Sequence, residues 1–460
     1  MMKKSYMYID PSPNIVEYVV PQYDPLYYLY LPQNEERPEK KTLLNESAIF
    51  IIKQFNGKKT YSDILSILLE EYGGVREDIE NELNNFINLL QNNYEYKFKL
   101  QEHPVDRTIN VVTHHNMYPG AASLELTDRC NMRCRHCYGN YSNINSNDIP
   151  LDKVYSTLES LKEVGVHVIE ITGGDPSVYS NVDLVINKIN ELKFGAIMFL
   201  TNGLFLPDTL LDAMEKVKDK LFVQVDLHSL NEEYFNWFTK TKGSLDSVKK
   251  NIDRLVSRKI RVRIAAIITP GNLNEMVKIA DWANDHKALL FTPSVVTQMG
   301  RANHENTNDL FIHTEEDINL FNKQRLLIKE KYPKMILEAP AARINCGAIT
   351  SEVSIDTQGN IKLCNMDDRS FLQLQMGNVF KSSIKDIYDE NSEFIKAIKN
   401  VVLPKFESET CKLCSEKFFC SHCLIRGLKS AYRIKEKCKW YESLDPIITE
   451  NLKFIEKIEG

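Results

Sequence analysis

Three cysteines stand close together in the segment CNMRCRHCYG, which runs from Cys130 to Gly139. Three residues separate Cys130 from Cys134, and two residues separate Cys134 from Cys137. Thiolates this close in sequence could ligate zinc, form a disulfide or hold an iron–sulfur cluster. A structural zinc site has four ligands and usually combines a C-x2-C pair with a distant second pair. The C-x3-C-x2-C spacing therefore does not fit a zinc site.

The other seven cysteines all lie in the last quarter of the chain. The segment CKLCSEKFFCSHC could by itself form a four-cysteine zinc ribbon, but that interpretation leaves three cysteines without partners. No apolar run of a secretory signal follows the N-terminal lysines, so we expect a reducing compartment, where cysteines indicate metal binding or catalysis. These cysteines are Cys346, Cys364, Cys411, Cys414, Cys420, Cys423 and Cys438.

Six short apolar strands alternate with helical patterns such as Leu151–Val164 and Leu245–Val256. This alternation predicts parallel strands joined by crossover helices, with the chemistry at the carboxyl ends of the strands. The three-cysteine segment follows the first predicted strand, TGGDP follows the second and TNG follows the third. The predicted strands are Ser123–Leu126, His167–Ile171, Ala196–Leu200, Phe222–Leu227, Val262–Ile268 and Leu289–Thr292.

The cysteine spacing and the strand–helix order resemble the radical S-adenosylmethionine (SAM) enzymes. The resemblance implies a partial (β/α)6 barrel in which Cys130, Cys134 and Cys137 hold a 4Fe-4S cluster, and the fourth iron binds S-adenosyl-L-methionine. It also implies that a radical formed from this cofactor abstracts a hydrogen atom from the substrate. His136 stands where the family often has an aromatic residue, and both a packing role and a functional role are open for it.

The same resemblance implies a set of residues that contact the cofactor. In the family, a glycine-glycine-acid turn after the second strand holds the methionyl amine, and here the acid is Asp175, one methylene shorter than the usual glutamate. Residues at the ends of later strands contact the ribose or the methionyl group. The implied cofactor-binding residues are Gly173, Gly174, Asp175, Thr201, Asn202 and Asp226.

The seven C-terminal cysteines resemble the SPASM domain of radical enzymes that modify peptides. The order GNIKLC followed by C-x2-C-x5-C fits that pattern, although Cys423 follows Cys420 after two residues instead of three. The resemblance implies two auxiliary 4Fe-4S clusters besides the core cluster. One would have four thiolate ligands and the other three, with its last iron bound by water, another side chain or substrate. The two implied ligand sets are Cys411, Cys414, Cys420 and Cys438, and Cys346, Cys364 and Cys423.

The N-terminal segment is predicted to form a separate small domain. Strand-like runs at Ile15–Val20 and Tyr27–Tyr30 come with three helical patterns, a layout that resembles a winged helix-turn-helix. Six acidic residues against one arginine between Glu70 and Glu82 would repel phosphates, so we expect no nucleic-acid partner. The segment also resembles the leader-peptide recognition element of ribosomal peptide maturases, in which a precursor leader adds as a strand. A helical cap without a ligand is the alternative.

The resemblances divide the chain into five parts. They are a recognition element at 1–103, a linker at 104–119, a radical SAM core at 120–312, a bridging region at 313–345 and a SPASM domain at 346–460. The composition, with 43% hydrophobic and 26% charged residues and a net charge of -6, is that of a globular protein, and no run of 18 apolar residues could span a membrane. We therefore expect a cytoplasmic protein.

The implied activity is the formation of thioether links between cysteine sulfur and carbon within one precursor peptide. The segments NCGAI and CSHCLIRGLKSAY are similar to the subtilosin-type sactipeptide synthases. The partners would be a precursor bound through its leader and an external electron donor such as flavodoxin or ferredoxin. Maturases of the same architecture also form carbon–carbon links or other modifications, and a non-catalytic, metal-bearing peptide-binding scaffold is a further alternative.

Overall fold

The structure is a computed structural model in which the chain forms two compact units, Met1–Asn116 and Met117–Gly460. Each unit is described by itself. The described residues are 4–10, 13–19, 26–31, 40–92, 96–107, 109, 111–115, 118–139, 141, 147–303, 305–335, 346–405, 407–434 and 438–455.

Seven strands and three helices make up the described part of the first unit. The helices confirm the three predicted helical patterns. The strands are β1 (Tyr6–Ile9), β2 (Asn14–Val19), β3 (Leu26–Leu31), β4 (Lys40–Leu44), β5 (Asn56–Thr60), β6 (Phe98–Gln101) and β7 (Val111–His115), and the helices are α1 (Glu46–Gln54), α2 (Tyr61–Tyr72) and α3 (Arg76–Asn92).

Local sequence signals set the ends of α2. Thr60 and Asp63 form a reciprocal capping box at its start, which satisfies backbone donors that the first turn leaves free. Gly73 follows its last turn with φ +67°, a conformation that glycine adopts without steric cost. The apolar faces of the helices pack into one core that includes Ile52, Ile64 and Leu83.

Two small sheets accompany these helices, in the orders β5-β1-β6 and β4-β3-β2-β7. The expected linker 104–119 contains a strand, since β7 pairs in parallel with β2 and is part of the first unit. The unit therefore extends beyond residue 103. The winged arrangement of the helices stays a prediction.

The second unit is built on one sheet of eight described strands. All six predicted strands are present, are parallel, and lie in sequence order, with ends that differ from the prediction by a few residues. Their order confirms an α/β fold with a parallel sheet. These strands are β8 (Ala121–Glu125), β9 (Val168–Thr172), β10 (Ala196–Thr201), β11 (Leu221–Asp226), β12 (Arg261–Ile268) and β13 (Leu290–Val295).

Two further strands, β14 (Glu352–Ile355) and β15 (Ile361–Lys362), extend this sheet beyond the six that were predicted. They come from the segment expected to form a separate C-terminal domain. β14 pairs in parallel with β8, and β15 pairs antiparallel with β14. The buried, largely apolar residues of β14 find their partner at the edge of β8, so the C-terminal segment and the core share one sheet and one compact unit.

Helices cover this sheet and continue into the C-terminal region, where they are short. A final pair of strands, β16 (Leu372–Leu374) and β17 (Leu452–Phe454), is antiparallel. None of the described helices has the length and apolar character that crossing a membrane requires. The helices are α4 (Leu151–Glu163), α5 (Val182–Glu191), α6 (Asp208–Lys216), α7 (Glu232–Thr239), α8 (Leu245–Ser257), α9 (Met276–Asp285), α10 (Glu315–Lys331), α11 (Ile384–Glu390), α12 (Ser392–Lys399), α13 (Lys417–Cys420), α14 (Leu424–Arg433), α15 (Lys439–Glu442) and α16 (Pro446–Asn451).

Candidate functional site

The three clustered cysteines line one cavity at the carboxyl ends of the parallel strands. Burial raises the pKa of Cys130 to about 12 and raises that of Cys134 well above its usual value. Such thiols stay protonated at neutral pH unless a bound cation stabilises the thiolates. Five of the six predicted cofactor residues line the same cavity. They are Gly173, Gly174, Thr201, Asn202 and Asp226.

The two glycines after β9 allow the backbone to lie against the start of the cysteine segment. A Cβ at Gly173, whose φ is +128°, would lie 2.4 Å from the carbonyl oxygen of Thr127, and one at Gly174 would lie 2.1 Å from that of Arg129. The amide of Gly174 donates to the Thr127 carbonyl over 2.7 Å. Any side chain here would push the turn away from the cysteines, so glycine is required at both positions.

Asp175 does not line the cavity but lies behind it. It is 1% exposed, and its carboxylate accepts hydrogen bonds from Ser177, from the Thr201 hydroxyl and, over 2.8 Å, from the Asn202 amide. Burial raises its pKa, and these donors favour the charged form. Its carboxylate therefore fastens the turn after β9 to the turn after β10.

Asn202 connects the third strand end to the cysteine segment. Its side-chain amide nitrogen donates to Asn131 Oδ1 over 2.7 Å and lies 3.7 Å from Cys130 Sγ. The Asn251 side chain donates to the Gly203 carbonyl over 2.8 Å and thereby supports the turn that contains Asn202. A donor directed at a ligand sulfur is one way in which proteins tune iron–sulfur clusters.

Asp226 ends β11 inside the same cavity. Burial, followed by repulsion from the Asp175 carboxylate, raises the pKa of Asp226 to about 7. A carboxyl group with this pKa changes its charge near neutral pH, and its place at the end of a parallel strand is where such folds bind ligands.

His136 lies in an aromatic cluster beside the cysteines. Its ring stacks on Phe238 with centroids 4.7 Å apart and meets His228 edge to face at 5.0 Å. Burial lowers the pKa of His136 to about 3, so the ring is neutral. One ring nitrogen of each histidine lies within 4.8 Å of Cys134 Sγ. The stacking is consistent with the packing role that the sequence left open.

Arg301 is a residue that the sequence analysis missed. Its guanidinium donates to the carbonyls of Cys134, over 2.9 Å, and Tyr141, over 2.8 Å, and its amide donates to the Cys137 carbonyl over 2.8 Å. It thus holds two points of the cysteine segment and Tyr141 shortly after it. No sequence signal marks Arg301, because it follows β13 and lies 160 or more residues from its partners.

The remaining seven thiols lie in two groups. Burial raises the pKa of Cys364, and repulsion from Cys423 and Cys346 adds to this effect. Burial likewise raises the pKa of Cys420 to about 11, with further contributions from Cys411 and Cys414.

Cys438 belongs to the second of these groups. Its pKa is raised by burial first and then by Cys414 and Cys411. Cys423, three residues after Cys420, interacts instead with Cys364 and Cys346. A zinc ribbon built from CKLCSEKFFCSHC would need the sulfurs of Cys423 and Cys420 in one site. The Cys423 sulfur instead interacts with those of Cys364 and Cys346, which does not fit a ribbon.

Comparison with known families assigns three parts of the chain. Residues 124–283 match the model of the radical SAM superfamily. The chain contains a radical S-adenosylmethionine domain. Residues 346–416 match an iron–sulfur cluster-binding domain, SPASM, and residues 37–94 match coenzyme PQQ synthesis protein D, PqqD. The radical SAM match covers the three-cysteine segment and the strands whose ends form the cavity.

Among curated relatives, the chain is 27% identical over 416 residues to the antilisterial bacteriocin subtilosin biosynthesis protein AlbA of Bacillus subtilis. The alignment covers 88% of this chain and 90% of AlbA. A GTP 3',8-cyclase of Clostridium perfringens is 31% identical over 167 residues, covering 35% of this chain and 50% of the cyclase. The similarity to AlbA thus extends through most of the chain.

Solved structures share the fold of this chain. Streptococcus suis SuiB bound to its precursor peptide SuiA has a TM-score of 0.57 at 14% identity, covering 96% of this chain and 100% of SuiB. Native anSMEcpe with bound AdoMet has a TM-score of 0.51 at 15% identity, covering 72% of this chain and 96% of anSMEcpe.

The residues of the radical SAM cavity fit a cluster and its cofactor. Three half-buried thiols share one cavity, a donor faces one of their sulfurs, and two glycines keep the adjacent turn free of side chains. Thiolate ligands, hydrogen bonds to sulfur and limited solvent access are the features by which proteins hold and tune such clusters.

Proposed function

We propose that this protein forms intramolecular thioether links, from cysteine sulfur to carbon, in a ribosomally synthesised precursor peptide. The observation that carries the proposal is the grouping of ten thiols into one set in the radical SAM cavity and two sets in the SPASM region. Similarity to AlbA over 88% of the chain supports a peptide substrate and this type of link.

In the core, Cys130, Cys134 and Cys137 would hold a 4Fe-4S cluster. The amides of Gly174 and Asp175 already donate to the carbonyls of Thr127 and Arg129, just before the cysteine segment, so we assign the carbonyls of their turn to the amine of S-adenosyl-L-methionine. We assign Asp175 to fastening this turn, and Thr201, Asn202 and Asp226 to contacts with the cofactor. When bound, the clusters supply the electron that cleaves the cofactor and accept the electron released as the sulfur–carbon bond forms.

In the SPASM region, we assign two auxiliary 4Fe-4S clusters, which gives three clusters in the protein. The interactions among the thiols support a complete set of four ligands and a separate set of three. Because the cysteines are then used without remainder, the last iron of the three-ligand set has to be bound by water, by another side chain or by the substrate. The ligands are Cys411, Cys414, Cys420 and Cys438 in one set, and Cys346, Cys364 and Cys423 in the other.

The first unit would bind the leader of the precursor. An apolar groove of about 810 Å³ lies among α1, α2 and α3, and its lining includes Ile51, Leu68, Ile79 and Phe86. The adjacent strand β4 pairs only with β3 in the described part of its sheet, so its other edge offers backbone groups to an added strand. Similarity to PqqD over residues 37–94 supports this assignment.

Two alternatives predict different products. A maturase that forms carbon–carbon links would remove two hydrogen atoms from the peptide but leave its cysteine free. A non-catalytic scaffold would produce no deoxyadenosine. The glycine turn and the cavity argue against the scaffold, since peptide binding in the first unit requires neither.

The test uses protein purified without oxygen, S-adenosyl-L-methionine, a flavodoxin or chemical reductant, and the precursor encoded beside the gene. We expect deoxyadenosine, and a peptide that has lost two hydrogen atoms per link and resists alkylation at its cysteine. A peptide with the same mass loss but an alkylatable cysteine would contradict the thioether assignment. Absence of deoxyadenosine with a loaded core cluster would contradict radical chemistry altogether.

A further inference from the structure

A buried ion pair joins the C-terminal segment to the core strand β8. Lys362 Nζ lies 2.7 Å from Glu125 Oε1, and each side chain is only 4% exposed. Glu125 ends β8, directly before the loop that leads to the three core cysteines. Lys362 ends β15, two residues before Cys364. The pair therefore joins the end of the strand that leads to the core cysteines to the end of the strand that leads to Cys364.

Tyr141 extends this link toward the core cysteines. Its hydroxyl donates to the same Glu125 oxygen over 2.6 Å, and its carbonyl accepts from Arg301, which also holds the Cys134 carbonyl. A continuous series of contacts thus runs from Arg301 through Tyr141, Glu125 and Lys362 to the carbonyl of Asn365, the residue after Cys364.

A second contact holds the other side of Cys364. Asn365 donates from its side-chain nitrogen to Glu170 Oε1 over 2.8 Å, and Glu170, on β9, also accepts from Ser123 over 3.0 Å. Neighbouring strands of the core sheet therefore anchor the residues on both sides of Cys364. The turn that carries this cysteine is tied to the same sheet that carries the cofactor cavity.

Stability alone gives little reason for such a pair. Burying two charges costs several kcal/mol per ion, and apolar residues of similar volume often stabilise a protein as well or better. What a buried, hydrogen-bonded pair provides is one defined geometry, because either charge left unpaired is strongly unfavourable. The pairing of β14 with β8 already attaches the C-terminal segment to the core sheet. The ion pair therefore fixes the relative position of the two segments rather than attaching them.

We propose that Lys362 and Glu125 are positioning residues, which fix the distance from the cofactor cavity to Cys364 and the auxiliary cluster that it ligates. This inference rests on the proposed function, in which Cys364 is a cluster ligand. Bond formation requires the carbon from which hydrogen is removed and the reacting sulfur to be held close together, and a misplacement of about 1 Å can cost about 100-fold in rate.

The test compares Lys362→Met with wild type in the cluster-loaded full chain. We expect the peptide product per deoxyadenosine to fall by about tenfold or more, because hydrogen abstraction continues while the second site is displaced. Pulsed dipolar EPR should show a broader distribution of distances between the core and auxiliary clusters. Lys331→Met, which breaks the exposed pair of Lys331 with Asp281, is the matched control and should behave as wild type.

Two further variants cover a failure of Lys362→Met to fold. Glu125→Gln combined with Lys362→Met removes both charges, and Tyr141→Phe removes one hydrogen bond. We expect both variants to form less peptide product per deoxyadenosine than wild type, and we expect the smaller decrease for Tyr141→Phe. An unchanged ratio and distance distribution in all folded variants, with only stability reduced, would overturn the inference alone. A wild-type protein without the auxiliary cluster signal would instead overturn the proposed function, and this inference with it.

Discussion

The core cysteine set and the four-cysteine set of the SPASM region are held in different ways. In the core, residues distant in sequence fix the segment: the amides of Arg133 and Arg135 donate to the carbonyls of Thr239 and Phe238 at the end of α7, and Arg301 donates to the Cys134 carbonyl. None of these contacts uses a cysteine sulfur.

In the four-cysteine set, the backbone contacts of the ligands are local. Cys411 donates to Ser408, Cys414 donates to Cys411, and Cys420 donates to Glu416, so each bond spans at most four residues. Local turns of this kind do not by themselves bring Cys438 to the group. From this difference we expect the fold itself to hold the core site, whereas metal binding should provide part of the folding free energy of the SPASM site.

The largest effect should follow from removing the core ligands. Replacing Cys130, Cys134 and Cys137 by alanine should abolish deoxyadenosine formation, since only the core set lies in the cofactor cavity. The iron content should fall by about four atoms, with the auxiliary absorbance retained if the other sets fold separately. Cofactor cleavage that persists in this variant would contradict the assignment of the core cluster.

Removal of all metal should destabilise the SPASM region more than the core sheet. In chelator-treated protein, we expect hydrogen exchange to become fast in 407–434 and 438–455, while the strands β8 to β13 keep their protection. Cys411→Ala in metal-loaded protein should reproduce the local loss of protection without affecting the parallel sheet. Equal loss in both regions would show that the core also depends on its metal.

A smaller effect is expected from changing the apolar groove among α1, α2 and α3, which we propose binds the leader. Phe86→Ala, in the wall of the groove, should weaken binding of the leader peptide by about 10–100-fold, because an aromatic anchor at an interface carries about 1–3 kcal/mol. Calorimetry with the full chain measures the affinity. Leu100→Ala, an exposed residue of β6 outside the groove, should leave it unchanged. Duplex DNA that binds while the leader does not would reverse the assignment.

The smallest effect concerns pH and Asp226. Folding raises the pKa of Asp226 to about 7, so the folded state binds this proton more tightly than the unfolded chain does. Its contribution to stability is complete at low pH and is lost as the pH rises toward 7, by up to about 1.4 kcal/mol per pH unit. In metal-free protein, urea unfolding at pH 5 and pH 7 should show a smaller difference for Asp226→Asn than for wild type; identical differences would contradict the raised pKa.

The sequence by itself determined the elements and the ligand types. The six strands, the three N-terminal helices and the cysteine segment were all predictable, because periodicity and short spacings are local properties. Gly173 and Gly174 were also recognisable as a turn after a strand. Because the three core cysteines lie within eight positions of the sequence, their thiols can reach one small cavity. Their spacing alone therefore indicates a shared site.

Only the tertiary structure decided how distant residues combine. The resemblance to SPASM domains already implied that Cys423 belongs with Cys364 and Cys346. What places these cysteines together is the return of the chain to the core sheet through β14 and β15, which no local pattern predicts. The supporting residue Arg301 and the buried pair of Lys362 with Glu125 depend in the same way on contacts across more than 100 residues. Burial then sets the pKa of Asp226, since desolvation depends on every element packed around it and not on its neighbours in the sequence.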